Sequence, residues 1–537
     1  MAKSASEVEE KTGYHKVLGL SGLTFASVAG VIGSGWLLGA ITSANYAGPA
    51  AILSWIIGGI FILGIAIPEI EVASLAPSSG ALARWPQLTH GKMASFLMGW
   101  MLFFSYATTP PIEAEAALQY SASYIPNVYN TSTGLLTTRG LVLGVLLLIL
   151  FYFLNYFGIK LFSRVNNVIT VLKVLVPLIT IVALFTVGFH GHNFTDPRYG
   201  GFMPYGWVGV FSAVSLGGVA FAYEGFRQAI DLSGEARNPK RDVPLALIFT
   251  VFGTMLIYVL LQVVFIGAVR GSELTHGWAH LILASPFAHL ALALNLGWLA
   301  IILYADAIYS PLGTGFVYFT TSSRVLWALP QNGVAPKSLA RMHPRHGVPI
   351  VGMIITLIVG ALTLLPFPAW SALVGVVTSI SVVTYMSVGV FAMVLRRTVP
   401  TMARIKIGGM KVFAPIAFLF GSLIWYWTGW PIDLWIGAIF FAGFLGFLIY
   451  AVRTKSSWTD IKAGAWMVAL GLFITLMSYI GSSDFGGKNY IPYPWDNVVV
   501  LAGSLVFYFW GVHSGFVTDA LKQFIADHDA QTASPPS

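Results

Sequence analysis

Cysteine is absent from the 537 residues, and charged side chains make up only 9% of them. With no thiols there is neither a disulfide framework nor a thiolate metal site, and cysteine usage carries no sign of a redox compartment. So little charge cannot dress the solvated surface of a soluble enzyme. Also missing is a Gly-rich strand-to-helix turn that would cradle phosphate, which argues against ATP-driven work. Ser34 has no His or Asp nearby in sequence to make it a hydrolytic nucleophile, and no other paired catalytic constellation stands out, so no enzyme activity is expected. His276 and His280 stand four apart, but they fall in a loop beside Trp278 with no second ligand pair; neither a metal nor a cofactor is expected. Segment 1–16 is polar, carries Glu7, Glu9 and Glu10 and has no signal-peptide pattern, so the apolar run after it is expected to stay in the membrane.

What the chain has instead is apolar length. Hydrophobic residues make up 56% of it and mean hydropathy is +0.77. A helix crosses a bilayer with about 20 apolar residues, and windows of that kind recur from residue 17 to residue 515. They divide into about fourteen spans. These lie near residues 17–44, 49–75, 93–125, 139–157, 162–188, 207–233, 243–268, 290–325, 349–366, 371–395, 412–428, 432–452, 463–481 and 496–516. The expected class is an all-α polytopic membrane protein with no separate soluble domain. Short linkers at 366–370 and 429–433 imply antiparallel neighbours.

Lys and Arg set the orientation. Placing the N-terminus inside puts most of the 29 on the inner face. Only Arg139, Arg198, Arg270 and Lys488 are then outside, with Lys173 and Arg227 inside spans. That asymmetry predicts cytoplasmic N- and C-termini in a plasma membrane. The net charge of +8 therefore reflects topology, and no nucleic-acid partner is implied. Outer loops 123–138 and 190–205 carry Pro and aromatics and are expected to be ordered, whereas 530–537 is small, polar and expected to be mobile. Sequons at Asn130, Thr131 and Ser132, and at Asn193, Phe194 and Thr195, matter only in a glycosylating host.

Two spans are interrupted. Ala29 to Trp36 holds Gly30, Gly33, Ser34 and Gly35 in the middle of the first, and the sixth carries Gly217, Gly218 and Gly225. Small residues can serve tight helix packing. A broken helix in hydrocarbon, however, is tolerated only where it is buried or lines a polar cavity. Two such breaks, each opening five helices, point to a transporter's binding site.

The residues in and around these breaks carry a resemblance. Gly33, Ser34 and Gly35 in the first span, Pro77, Ser78, Ser79 and Gly80 after the second, and Gly225 and Phe226 followed by Glu235 to Pro244 appear in order. Ser323 to Leu326 and Asn332 to Pro336 close the eighth span. Together they resemble the amino acid–polyamine–organocation superfamily, most closely its aspartate–proton symporter branch. The match runs from Tyr14 to Pro349; most members have twelve spans, so the count here departs from theirs. The resemblance implies two inverted five-helix repeats, 17–188 and 207–395, forming a transport core at 17–395. Helices 11–14 (396–516) would be additional, and 517–537 a cytoplasmic tail. It implies a substrate held between broken helices one and six. Half-helix N–H groups at Gly33, Ser34 and Gly35 suit its carboxylate. Freed carbonyls of Val31, Phe221 and Ala222 suit its ammonium, and Phe221 takes the place of the family's aromatic gate.

Ionisable residues inside spans are costly and functional by default. They are Glu69, Glu71, Glu113, Glu115, Lys173, Glu224, Arg227, Asp231 and Asp306. Lys173 is too deep to reach the interface easily and matches a family lysine that stands where a sodium ion would sit between spans one, five and eight. It is read as a proton-coupling group or as a tie to freed carbonyls. Glu113 and Glu115 point about 200° apart on a helix, so at most one faces the cavity. Asp306 is an alternative proton carrier, and Glu69 and Glu71 are read as packing groups. Arg227 stands where most members carry a glutamate. Its guanidinium either pairs with Glu113, Glu115 or Glu224, or receives the side-chain carboxylate of an acidic substrate beside Gly225.

The expected function is import of amino acids with protons, with acidic amino acids such as aspartate preferred. Exchange of one amino acid for another, or transport of neutral ones, is the alternative on the same fold. A channel would show a pore-lining filter, and a sensor of this fold would carry an added soluble segment.

Overall fold

The computed structural model describes residues 18–533 except 77–80, 131, 158, 345, 366–368, 401–405 and 455. The motif at Pro77 to Gly80, segment 1–16, Thr131 and residues 534–537 lie outside the described residues.

The chain is all α. Apart from one two-residue hairpin, Tyr129–Asn130 with Leu135–Leu136, the described residues hold helices and turns. The first span is split into α1 (Leu20–Val31) and α2 (Ser34–Ala47), followed by α3 (Ala51–Leu75), α4 (Ala81–His90) and α5 (Lys92–Ser121). Next come α6 (Thr138–Phe157) and α7 (Ile159–Gly188). The sixth span breaks into α8 (Gly206–Ser215), α9 (Val219–Tyr223), a 3₁₀ turn at Glu224–Arg227 and α10 (Gln228–Asp231). Then follow α11 (Pro239–Ala268), α12 (Pro286–Ala293), α13 (Gly297–Gln331), α14 (Ile350–Thr363), α15 (Trp370–Met386) and α16 (Val388–Thr398). The C-terminal part adds α17 (Met410–Tyr426), α18 (Ile432–Thr454), α19 (Trp458–Ile480), α20 (Trp495–Ser514) and α21 (Asp519–Ala533).

Among the described residues nine helical stretches are long and apolar enough to cross a membrane, ten when the bent pair Gly206–Ser215 and Val219–Asp231 counts as one span. Each of the expected windows contains helix, but Leu20–Val31, Ile350–Thr363 and Met410–Tyr426 are short. Window 290–325 is corrected: it straddles α12 and α13, which are separated by a turn with Asn295 at φ 59°. The tail is corrected too. Residues 530–533 end α21, a helix anchored where the Thr518 hydroxyl donates to the Leu88 carbonyl.

The lipid face is readable on α6. Val142, Leu146, Leu150, Phe153 and Phe157 are all exposed and fall three or four residues apart, one apolar stripe down the helix. In water that stripe would be a liability; against acyl chains it is a solvent match. The interior is packed around α5, against which α13 and α15 lie, while α11 packs along α3 and α1. This encloses the two broken spans.

Those breaks are tied to each other. Below them, the Leu18 N–H donates to the Glu235 carbonyl at 3.0 Å and the Arg237 N–H to the Leu18 carbonyl at 2.8 Å. Gly218 opens α9 at φ +83°, a left-handed conformation that glycine adopts without strain. At the crossing, a Cβ on Gly225 would stand 2.1 Å from the Gly30 carbonyl carbon and 2.2 Å from the Val31 nitrogen. Tight small-residue packing and a helix break are therefore both present at this place.

Candidate functional site

At the first break, Ile32 and Gly33 leave helical geometry, with ψ of 95° and −134°. The carbonyls of Ala29, Val31 and Ile32 lose helical partners, and side chains from three other helices supply donors instead. Lys173 of α7 donates from Nζ to the Ala29 carbonyl (2.8 Å) and to Thr314 Oγ1 on α13 (2.7 Å). Thr314 in turn donates to the Ala29 and Ile32 carbonyls at 3.2 and 3.3 Å. Ser310, one turn earlier on α13, donates to the Ile32 carbonyl. The lysine is fully buried, and its amine joins elements of spans one, five and eight.

The N-terminal end of α2 has an occupant as well. The Ser34 N–H donates to Glu113 Oε2 of α5 at 2.8 Å. A half-helix N-terminus attracts a carboxylate, and here the nearest is the protein's own. The expected carboxylate site at Gly33, Ser34 and Gly35 is thus filled from within. A Cβ on Gly33 would meet Glu113 and Thr314 at 2.7 and 2.8 Å, and one on Gly35 would meet Ala222. Glu115 points elsewhere, to the start of α15 at Trp370. Glu113 and Lys173 are close enough to interact as charges.

The carbonyls expected to receive an ammonium are partly committed. Those of Val31 and Ala222 both accept from the Tyr258 hydroxyl of α11, at 3.1 and 3.2 Å. Phe221 is a correction: its carbonyl accepts the Glu224 N–H within the helical turn and is not free. The Phe221 ring meets Trp370 edge-on at 6.0 Å, and the Trp370 indole donates to Ser34 Oγ at 3.0 Å. Trp370 therefore spans both breaks.

Arg227 is not brought to this cluster's carboxylates. Its Nε donates to Glu69 Oε2 of α3 at 2.9 Å, with both side chains buried, and its guanidinium lies 4.2 Å from the centre of the Tyr385 ring. The expected partners Glu113, Glu115 and Glu224 are corrected accordingly. Glu224 instead accepts from Ser381 at 2.8 Å, and Asp231 from Tyr106 at 3.0 Å. Both Nη groups of Arg227 and Glu69 Oε1 have no hydrogen-bond partner among the described residues. Glu71 forms a separate tie, accepting from Arg396 and from the Ile407 N–H. Asp306 is buried on α13 beside Tyr309 and Trp36. Asn193 is a further correction to the sequon reading: it is buried and its amide donates to the Ile266 and Val269 carbonyls.

The profile of the amino acid permease family matches residues 18–475. The chain belongs to that family. Among relatives, the permease is 40% identical over 519 residues to a glutamate/serine transporter of Bacillus subtilis, covering 95% of each chain. It is 33% identical over 516 residues to the aspartate–proton symporter of the same organism, covering 95% of this chain and 98% of that one. A branched-chain amino acid permease from that bacterium is 29% identical over 426 residues, 77% and 88% of the two chains. The permease is an amino acid transporter, not an enzyme.

Tyr258, Thr314, Ser310 and Trp370 were not singled out from sequence. A usable signal existed for two of them: Ser310 and Thr314 follow Asp306 at intervals of four, a polar stripe on an otherwise apolar span.

Proposed function

We propose that this permease imports amino acids by proton symport across a plasma membrane with both termini cytoplasmic, and that it prefers acidic amino acids. The observation that carries the coupling is Lys173. Its Nζ lies between the Ala29 carbonyl and Thr314 Oγ1, which supports reading it in the place of a coupling cation. A buried ammonium is expensive and gives up its proton more readily than one in water. Glu113 supplies the second half. An incoming α-carboxylate takes the Ser34 N–H, displaces Glu113, and leaves a buried carboxylate that takes up a proton. The ammonium takes the Val31 and Ala222 carbonyls from Tyr258. The transport core is 17–395, with 396–516 as added helices.

The acidic preference rests on two supports: the printed substrates of the two relatives above, and the two Nη groups of Arg227 that face no internal acceptor. Uptake of a labelled amino-acid panel by proteoliposomes, with and without an inward proton gradient, tests the whole reading. Aspartate and glutamate should accumulate only with the gradient and without sodium. Equal accumulation of leucine, or strict sodium dependence, would overturn it.

Tyr258→Phe gives a sharper check on the ammonium site. Removing one hydroxyl leaves two buried carbonyls without that donor, a loss of about 1–3 kcal/mol of stability for the empty protein. A bound ammonium restores a donor, so substrate should raise the melting temperature of the variant more than that of the wild type. Equal shifts would place the ammonium elsewhere.

A further inference from the structure

We propose that Asp306 is the outer station of a proton route that runs down one face of α13 to Lys173. The inference rests on the proton-symport reading and adds to it where the proton enters.

Asp306 is fully buried, and neither carboxylate oxygen has a hydrogen-bond partner among the described residues. The indole N–H of Trp36 on α2, also without a partner, and the Tyr309 hydroxyl lie beside it. Among the described residues, Tyr120 of α5 and Lys173 of α7 are further titratable groups that interact with it. Phe287 of α12 adds only a ring, against Trp36 at 5.5 Å. Burying a carboxylate with only the neutral Trp36 and Tyr309 groups beside it is costly, and the cost is relieved when it carries a proton.

From there the polar groups descend in step. Ser310 and Thr314 stand four and eight residues after Asp306, hence on its face of the helix, at steps of about 6 Å along the axis. Both are buried, both donate to the Ile32 carbonyl, and Thr314 accepts from Lys173. Tyr304, two residues before Asp306 and so about 200° round the helix, meets Ser285, which pairs with Ser123 of the outer loop at 3.1 Å. Tyr124, beside Tyr304 at 5.7 Å, is half exposed. The route therefore runs from Asp306 down one face of α13 to the buried amine.

The step balances. An external proton forms the Asp306 O–H bond. That bond breaks as an N–H bond forms on Lys173, whose amine is neutral at that point because it has already released its own proton on the inner side. Ser310, Thr314 and one water in each gap accept one proton and release one, ending unchanged.

The experiment compares the full-length wild type with Asp306→Asn and Asp306→Glu in proteoliposomes. Asp306→Asn should lower proton-driven aspartate accumulation at least tenfold and flatten its dependence on external pH. Aspartate/aspartate exchange without a gradient should fall far less, since it needs no net proton movement. Asp306→Glu should recover the pH dependence. Full accumulation with a wild-type pH profile in Asp306→Asn overturns the route, as does equal loss of exchange and accumulation, which marks a structural residue. Ser310→Ala provides a second measure that leaves every charge in place: proton-driven uptake should fall by a larger factor than exchange, and an equal or smaller fall in uptake counts against the path. A wild type that needs no proton gradient would instead remove the symport reading itself.

Discussion

Lys173→Ala is expected to abolish uphill accumulation altogether. In proteoliposomes with an inward proton gradient, internal aspartate should level off at the external concentration, where the wild type exceeds it severalfold. Two losses combine. The Ala29 carbonyl and Thr314 lose their ionic donor, and Glu113 loses the cation in its neighbourhood. Glu113 is then left in the interior with no cation to exchange a proton with. The cycle then carries the proton nowhere. Lys173→Arg separates charge from titration: it keeps a cation but one that does not deprotonate in proteins, so binding should survive while accumulation does not. Accumulation by Lys173→Ala at the wild-type level would transfer coupling to Glu113 or Asp306 acting without the lysine.

The elements most legible in the sequence were those where local chemistry breaks a local rule. Gly33, Ser34 and Gly35 inside an apolar run do mark the end of α1 and the start of α2. Gly217 and Gly218 mark the corresponding break, where α8 and α9–α10 meet at 44°. Lys173 stood out because a deep ammonium has so few alternatives. What stayed hidden was pairing across the chain. Arg227 and Glu69 are 158 positions apart, and nothing in either neighbourhood names the other. Tyr258 was hidden for a different reason: a tyrosine in a span is equally at home in a core or at an interface, so its place under two carbonyls has no local signature. Membrane windows also blur ends. Lipid and protein core are both apolar, so hydropathy alone did not separate α12 from α13, where only the turn at Asn295 does so.

Arg227→Gln is expected to be the most destabilising of these substitutions, and its rescue tells two roles apart. Arg227 and Glu69 are both buried and joined at 2.9 Å. Removing one member of a buried ion pair leaves the other uncompensated, a cost of about 3–5 kcal/mol. The single variant should therefore melt at a much lower temperature in detergent, with aspartate offering little protection. Glu69→Gln combined with Arg227→Gln removes both charges, and stability should return to near that of the wild type, because two neutral amides replace a pair whose desolvation cancelled much of its attraction. Specificity should not return. With the Nη groups gone, the double variant has no planar fork for a side-chain carboxylate, so aspartate should compete with labelled serine no better than alanine does. A stable double variant that still favours aspartate would make the arginine a tie between α3 and the sixth span and nothing more. In that case the acidic preference must be read by other walls of the site, and Arg227 records only how this permease holds its sixth span against its second.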